Sequence, residues 1–162
     1  MLRLSKKTDY ALMAMKHLAL QSAASGGVGA ASAREIAEHY DIPIELLAKI
    51  LQRLARRGLL TSHQGTRGGY SLARPATVIS VADVIQAVDG PLTVTACSVH
   101  DTACGQYSKC NVRDPLWLIK DRILTSLAAC RLDEIATDAP SPAPAALGPE
   151  LQPISLSRRP RG

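Results

Sequence analysis

The sequence predicts a mostly α-helical protein with a small β-hairpin, arranged as a winged helix-turn-helix followed by a long dimerisation helix. Two helical segments joined by a short turn precede a glycine-rich loop that separates two short strand-like segments. A last amphipathic helix follows a loop that carries three of the four cysteines. This order of elements is typical of the winged helix-turn-helix class.

The composition indicates a small protein with an aliphatic core. The chain has 162 residues, of which 46% are hydrophobic, but it contains no Phe and a single Trp. We expect one domain with an appendage in the cytoplasm, because no stretch approaches the roughly 18 apolar residues of a membrane span and no signal peptide is apparent. In a reducing compartment, clustered cysteines favour metal ligation or redox chemistry over disulfides.

The charge is unevenly distributed along the chain. Residues 1–74 contain eleven Lys and Arg against five Asp and Glu, whereas residues 75–137 contain five against seven. A basic first half is typical of proteins that bind a polyanion, although a solvated basic surface gives the same composition.

The first half contains the helices of the predicted winged helix-turn-helix domain, which we call the head. Apolar residues at helical spacing indicate a first helix from about Ser5 to Gln21. Residues 25–29 form a flexible break. A second helix begins at Ser32, where Glu35 three residues later completes a capping box.

A third helix is predicted from about Ile44 to Arg57, closed by Gly58. Its apolar face is expected to be buried and consists of Leu47, Ile50, Leu51 and Leu54. Its other face is polar and partly basic and consists of Glu45, Lys49, Gln52, Arg53 and Arg56. Together with the turn at 41–43, these two helices predict a helix-turn-helix, although an ordinary helical pair with a charged solvent face has the same pattern.

A β-hairpin wing is predicted directly after the third helix. Residues 59–62 and 70–73 have the composition of strands, and the loop between them is rich in glycine and carries Arg67. Glycines allow close approach to a phosphate backbone or a minor groove, and Arg67 supplies charge there.

Two further helices follow the wing. One begins at Ser80, with a second capping box through Asp83, and the last begins at Asp114 with Pro115 at its first position. An apolar stripe on the last helix predicts a homodimer and consists of Leu116, Ile119, Ile123 and Leu127. The predicted divisions are a DNA-binding domain at 1–92, a cysteine loop at 93–111, a dimerisation helix at 112–137 and a disordered Pro/Ala-rich tail at 138–162.

The cysteine loop is the main candidate for chemistry. Cys97, Cys104 and Cys110 have the spacing C-x6-C-x5-C, which is looser than the knuckles of most structural zinc sites and suits a multi-iron cluster. Zinc held by these three cysteines and His100 is an alternative, as is a disulfide switch between Cys104 and Cys110. A thiol enzyme lacks the expected nucleophile setting, and Cys130 is expected to be a small buried hydrophobe on the last helix.

The combination resembles the IscR/NsrR-type family of bacterial winged-helix regulators, many of which carry iron–sulfur clusters. The likeness covers about residues 1–135. It rests on the opening MLRLSKKTDYAL, on LARRGLL at 54–60, on the wing GTRGGYSL at 65–72 and on VIQAVDG at 84–90. The Thr8-Asp9-Tyr10 opening is most similar to the subgroup that controls the SUF iron–sulfur assembly operon.

The resemblance implies a ligand set for a [2Fe–2S] or [4Fe–4S] cluster. Its thiolates are Cys97, Cys104 and Cys110. Arg113 stands where the housekeeping assembly regulator has a histidine, and a guanidinium does not ligate iron. Asp9 of a partner subunit is the first candidate for the fourth ligand, as in the nitric-oxide-sensing branch, and His100 is the second. Asp9 also has an ordinary role as a first-turn carboxylate.

The implied function is that of a dimeric DNA-binding repressor, not an enzyme, which senses cluster status and controls iron–sulfur assembly genes. A nitric-oxide or redox-responsive repressor and a zinc or thiol-switch regulator are the alternatives. Lys49, Arg53 and Glu45 are expected to contact base edges in the major groove. The expected backbone contacts are Lys6, Lys7, the helix start at Ser32 and Arg67 of the wing.

Overall fold

The computed structural model of the chain describes residues 4–27, 29–65, 68–93 and 105–137. Across these ranges the elements are α1 (Lys6–Ala24), α2 (Ala33–Tyr40), α3 (Ile44–Arg56), β1 (Leu60–His63), β2 (Gly69–Leu72), α4 (Val81–Val88), α5 (Arg113–Ala129) and α6 (Leu132–Ile135). Short 3-10 turns occupy Ala76–Val78 and Tyr107–Lys109. The mostly helical fold with one antiparallel hairpin confirms the predicted class.

Helix α1 lies at the centre of the packing and contacts α3, α4, α6 and β2. It begins after Ser5, whose hydroxyl accepts the Thr8 amide at 3.3 Å. It continues to Ala24, three residues beyond the predicted end at Gln21. Small and flexible side chains fill its buried face, which includes Ala11, Ala14, Met15 and Leu18.

Helices α2 and α3 form the predicted helix-turn-helix. The capping box at the start of α2 is present, with Ser32 and Glu35 each accepting the other's amide proton. Asp41 adopts the left-handed conformation at φ 52°, which turns the chain within three residues. The predicted apolar face of α3 is buried at all four positions, Leu47, Ile50, Leu51 and Leu54.

The end of α3 is set by a glycine. Gly58 has φ 71°, a left-handed conformation that costs glycine no steric penalty. Its amide donates to Ala55 at 2.9 Å and the Leu59 amide donates to Leu54 at 3.0 Å. This is a Schellman motif, and it satisfies carbonyls that the helix leaves without partners. The predicted closure at Gly58 is confirmed, with the helix ending one residue earlier than expected, at Arg56.

The wing is the hairpin of β1 and β2. Leu60 pairs with Leu72 and His63 with Gly69, so both strands lie one residue closer to the connecting loop than predicted. Tyr70 also exchanges two backbone hydrogen bonds with Ala31, at 2.8 and 3.0 Å. The wing is thereby fixed to the residue that precedes Ser32, the N-cap of α2. Arg67 lies outside the described residues.

The start of α5 differs from the prediction. Arg113, not Pro115, is its first residue, and Val112 stands at the N-cap without a side-chain hydrogen bond. Asp114 does not cap the helix because its carboxylate binds the Arg113 guanidinium, with Nε at 2.7 Å. Pro115 is tolerated at the third position, since amides in the first turn have no intrahelical acceptor.

The chain after α5 returns to the head. The Val81 amide donates to the Cys130 carbonyl and the Leu132 amide donates to the Ile79 carbonyl, both at 2.9 Å. Leu132 is fully buried, and it opens the short helix α6, which was not predicted. Cys130 is the C-cap residue after the end of α5 and is half-buried, so the prediction of a buried residue on the last helix was wrong.

The core is aliphatic, as the composition predicted. Its largest fully buried side chains include Met15, Leu18, Ile36, Leu47, Leu51, Leu54, Ile79, Val84 and Leu132. In the part of the chain that the structure describes, no helix is long and apolar enough to cross a membrane.

Replacing Gly69 by alanine is expected to destabilise the head. A Cβ at this position would lie 2.6 Å from the Ala31 carbonyl oxygen, so the wing and the segment before α2 would have to separate. Overpacking of this kind costs about 1–3 kcal/mol. Urea denaturation of Gly69→Ala measures the loss. Gly105→Ala is the matched control, because no atom of the described residues packs within 4 Å of its added Cβ. Equal stability of the two variants would contradict the close packing of the wing.

Candidate nucleic-acid interface

The outward face of α3 is exposed and carries more basic than acidic groups. Glu45 and Lys49 lie one turn apart near its start, and Gln52 follows Lys49 by three residues. All three side chains are exposed, because the opposite face of the helix fills the core. The side chains have the reach and chemistry to contact base edges in a major groove. The sequence pattern places Gln52 on the polar face but does not distinguish it from the other residues there.

Arg53 has a partner within the protein. Its Nε–H donates to the backbone carbonyl of Ala87 in α4 at 2.9 Å. The sequence places Arg53 on the polar face with Lys49, and periodicity alone does not distinguish the two residues. A long-range bond across 34 residues leaves no local pattern in a sequence.

The start of α2 is already hydrogen-bonded. The Glu35 carboxylate accepts the Ser32 amide at 2.7 Å, and the Ser32 hydroxyl accepts the Glu35 amide at 3.2 Å. The hydrogen bonds from Ser32 lower the pKa of Glu35 from its ordinary value. A phosphate approaching this helix start would therefore meet the remaining first-turn amides beside an ionised carboxylate.

The start of α1 presents two exposed lysines, Lys6 and Lys7. The Lys6 ammonium lies 5.2 Å from the centroid of the Tyr10 ring, a cation–π distance. Asp9 is exposed in the first turn of the same helix.

Asp89 joins the start of α1 to the end of α4. Its carboxylate accepts the Ser5 amide at 3.0 Å and the Ser5 hydroxyl. Burial opposes its ionisation, but the hydrogen bonds from Ser5 and the nearby Arg53 charge outweigh that effect, so the pKa of Asp89 lies below its ordinary value. Neither Ser5 nor Asp89 was a sequence candidate for the site, and only the folded chain brings them together.

Of the candidate cluster ligands, the structure describes Asp9 and Cys110. Cys97, His100 and Cys104 lie outside the described residues. Cys110 is a free, half-buried thiol that follows the turn Tyr107–Lys109 and lies three residues before the first residue of α5. Within the described ranges, no three His, Cys, Asp or Glu residues gather to hold a metal. A donor set completed by the other cysteines and by Asp9 of a second chain therefore stays a prediction.

Helix α5 carries no buried residue in the single chain, although it is 17 residues long. Leu118 is 61% exposed and Ile119 is 45% exposed. Of the predicted apolar stripe, Leu116, Ile123 and Leu127 are half-buried. A helix of this length is normally stabilised by burying an apolar face, and this face has no cover among the described residues of one chain.

Comparison with known proteins identifies the family. Residues 4–138 match the family model described as "Rrf2: Iron-dependent Transcriptional regulator". The chain belongs to the Rrf2 family. Rrf2 proteins are transcriptional regulators, not enzymes, and the winged-helix resemblance inferred from the sequence is confirmed.

Relatives and solved structures agree with this assignment. An HTH-type transcriptional regulator of Mycobacterium tuberculosis is 44% identical over 64% of this chain, and the match spans only 60% of that protein. The HTH-type transcriptional regulator IscR of Photorhabdus laumondii is 33% identical over 85% of this chain and 80% of its own length.

Among solved structures, CymR, the global cysteine regulator of B. subtilis, superposes with a TM-score of 0.66 at 26% identity, covering 84% of this chain and 97% of CymR. T. potens IscR gives a TM-score of 0.64 at 28% identity, covering 86% of this chain and 89% of that one.

Proposed function

We propose that this Rrf2-family regulator binds operator DNA as a homodimer, as a repressor, and senses iron–sulfur status through a labile cluster. The genes under its control would be those of iron–sulfur cluster assembly, and the protein would act in the cytoplasm. The observation that carries the DNA-binding part is the exposed, basic outer face of α3 beside the wing. The cluster part rests on the cysteine spacing and on the likeness to IscR.

In the proposed complex, α3 enters the major groove. Lys49 donates to base acceptors, and Glu45 accepts from a cytosine amino group. Lys6 and Lys7 neutralise phosphates from the start of α1, and Arg67 does the same from the wing loop. The start of α2 at Ser32 supplies main-chain amides to a phosphate. Phosphate contacts fix the register of the protein, whereas base contacts specify the sequence.

The proposed ligands are the thiolates of Cys97, Cys104 and Cys110. Asp9 of the partner subunit completes the set, with His100 as the less favoured choice. The cluster would be a [2Fe–2S] or [4Fe–4S] centre, and it would supply sensitivity to iron supply and oxidants. A set of three thiolates and one weaker ligand holds a cluster less firmly than four thiolates do. The position of Cys110, three residues before the start of α5, would connect the centre to the helix proposed to form the dimer.

A thiol sensor is the second candidate function. CymR proteins give three of the high-scoring superpositions, and one of those structures is of an oxidised form. In this alternative, Cys104 and Cys110 form a disulfide on oxidation and no metal is bound. A structural zinc site on the three cysteines and His100 is a further possibility, and it is colourless.

Anaerobic purification is expected to yield a brown protein with acid-labile sulfide. Single alanine variants of Cys97, Cys104 and Cys110 should each lose the visible absorption, whereas Cys130→Ala should keep it as the matched control. Iron, zinc and sulfide assays accompany the spectra. A colourless wild type with stoichiometric zinc, or with no metal after reconstitution, would refute the cluster and leave the zinc or thiol alternatives.

The phosphate contacts predict a change in salt dependence. Each phosphate contact contributes about 0.9 to the slope of log affinity against log salt. The double variant Lys6→Ala/Lys7→Ala should therefore reduce the slope by about two, measured by fluorescence anisotropy at several salt concentrations. Lys120→Ala, on the side of α5 that faces α4, is the control and should keep the wild-type slope. An unchanged slope in the double variant would exclude both lysines from the interface.

The dimer is expected to depend on the apolar face of α5. Ile119→Asp places a charge on that face and should shift the sedimentation of micromolar protein towards monomer. Asp121→Arg changes the charge of an exposed residue on the far side of the same helix and should leave the dimer intact. A wild type that sediments only as a monomer would contradict the proposed homodimer.

A further inference from the structure

Arg53 caps a helix to which it does not belong. It lies in the last turn of α3, and its Nε–H reaches the Ala87 carbonyl in the last turn of α4 at 2.9 Å. Carbonyls in a last turn lack intrahelical donors. Two others in this turn are satisfied by the chain that follows, since the Asp89 amide donates to Ile85 and the Gly90 amide donates to Gln86. The guanidinium satisfies the next one and complements the negative end of the helix.

The same corner holds an opposite charge. Asp89 is the C-cap residue of α4, and its carboxylate accepts both the amide and the hydroxyl of Ser5. Ser5 is in turn the N-cap of α1. Three helix ends therefore meet in one cluster, here named the Asp89 junction, which consists of Ser5, Arg53, Ala87 and Asp89.

The Asp89 junction lies between two surfaces proposed to contact DNA. Helix α3 carries Glu45 and Lys49, and the residues directly after Ser5 are Lys6 and Lys7. The relative orientation of these surfaces decides whether both meet the duplex at once. To contact a base through Nε, Arg53 would have to release the Ala87 carbonyl and leave it without that donor.

We propose that Arg53 is a positioning residue and not a base-contacting one: through Ala87 and Asp89 it fixes the recognition helix α3 relative to the start of α1. The inference rests on the proposed DNA-binding function and revises the role of one residue within it. Base selectivity then comes from side chains nearer the start of α3, such as Glu45 and Lys49.

The experiment uses the full-length protein and a DNA duplex that the wild type selects from a random-sequence pool. Affinities are measured by fluorescence anisotropy for that duplex and for each of its single-base-pair variants. The proteins compared are wild type, Arg53→Gln, Arg53→Lys, Asp89→Asn, the double variant Arg53→Gln/Asp89→Asn, Lys49→Ala and Arg56→Gln. Stoichiometric titration gives the active fraction, so that loss of folded protein is separated from loss of affinity.

A positioning role predicts uniform losses. Arg53→Gln and Asp89→Asn should each weaken binding about tenfold, as expected when a charge-assisted hydrogen bond is lost, with the preference at every base pair unchanged. The double variant should lose less than the product of the two single effects, because both residues belong to one network. Arg53→Lys keeps a cationic donor and should recover part of the affinity.

Two comparisons separate positioning from other roles. Arg56→Gln removes the same charge from the last turn of α3, and it should weaken binding less than Arg53→Gln. Lys49→Ala should abolish the preference at one base pair, as a base-contacting residue does. Asp89→Asn by itself can also act through Ser5 on Lys6 and Lys7, so the double variant decides whether Arg53 acts through the junction. Single losses that multiply in full in the double variant would place Arg53 outside it.

The inference is overturned if Arg53→Gln abolishes the preference at one base pair while Asp89→Asn binds like wild type. It is equally overturned if Arg53→Gln binds as tightly as wild type. Failure of the wild type to select any sequence would instead refute the proposed DNA-binding function, so the two failures are distinguishable.

Discussion

The structure depends on the burial of α1 by a core that contains no phenylalanine. Aliphatic side chains and methionine must supply the apolar area, and they do so by packing around one central helix. Ala11 and Ala14 are fully buried on α1, and small residues there permit neighbouring helices to approach closely. Because α1 contacts α3, α4, α6 and β2, the recognition helix and the wing are oriented against the same element.

The head is closed by contacts far apart in the chain. Residues 130–132 bond to residues 79–81, and Leu132 is buried in the core, so the chain beyond α5 is part of the head that begins at α1. Helix α5 is therefore held at its C-terminal end by its junction with α6 and, from Lys120 onward, by its contacts with α4. Displacement of α5 would act on α4 and α6, and both of these helices contact α1. Helix α4 is also bonded to α3 through Arg53 in the Asp89 junction. Such packing is the route that the proposed coupling between the cysteine loop and the recognition helix would use.

Local sequence rules account for most helix boundaries. The capping boxes at Ser32 and Ser80 and the glycine closure of α3 were predictable because each uses residues within a few positions of one another. The failure at the start of α5 has the same local scale. Asp114 can cap a helix or pair with Arg113, and the pattern favours the first whereas the structure has the second. Helix α6 was not predicted because four residues are too few to produce a periodic hydrophobic pattern.

The sequence by itself determined the class of the protein. Helical periodicity, turn residues and the glycine-rich wing specify a winged helix-turn-helix, and the spacing of three cysteines predicts a candidate metal site. Only the tertiary structure decided which exposed residues of α3 have no bonded partner among the described residues and which one holds another helix. Lys49 and Arg53 occupy one polar face in the sequence, yet Arg53 is bonded to Ala87, 34 residues away. Periodicity describes one helix at a time, whereas such bonds depend on how the ends of several helices meet.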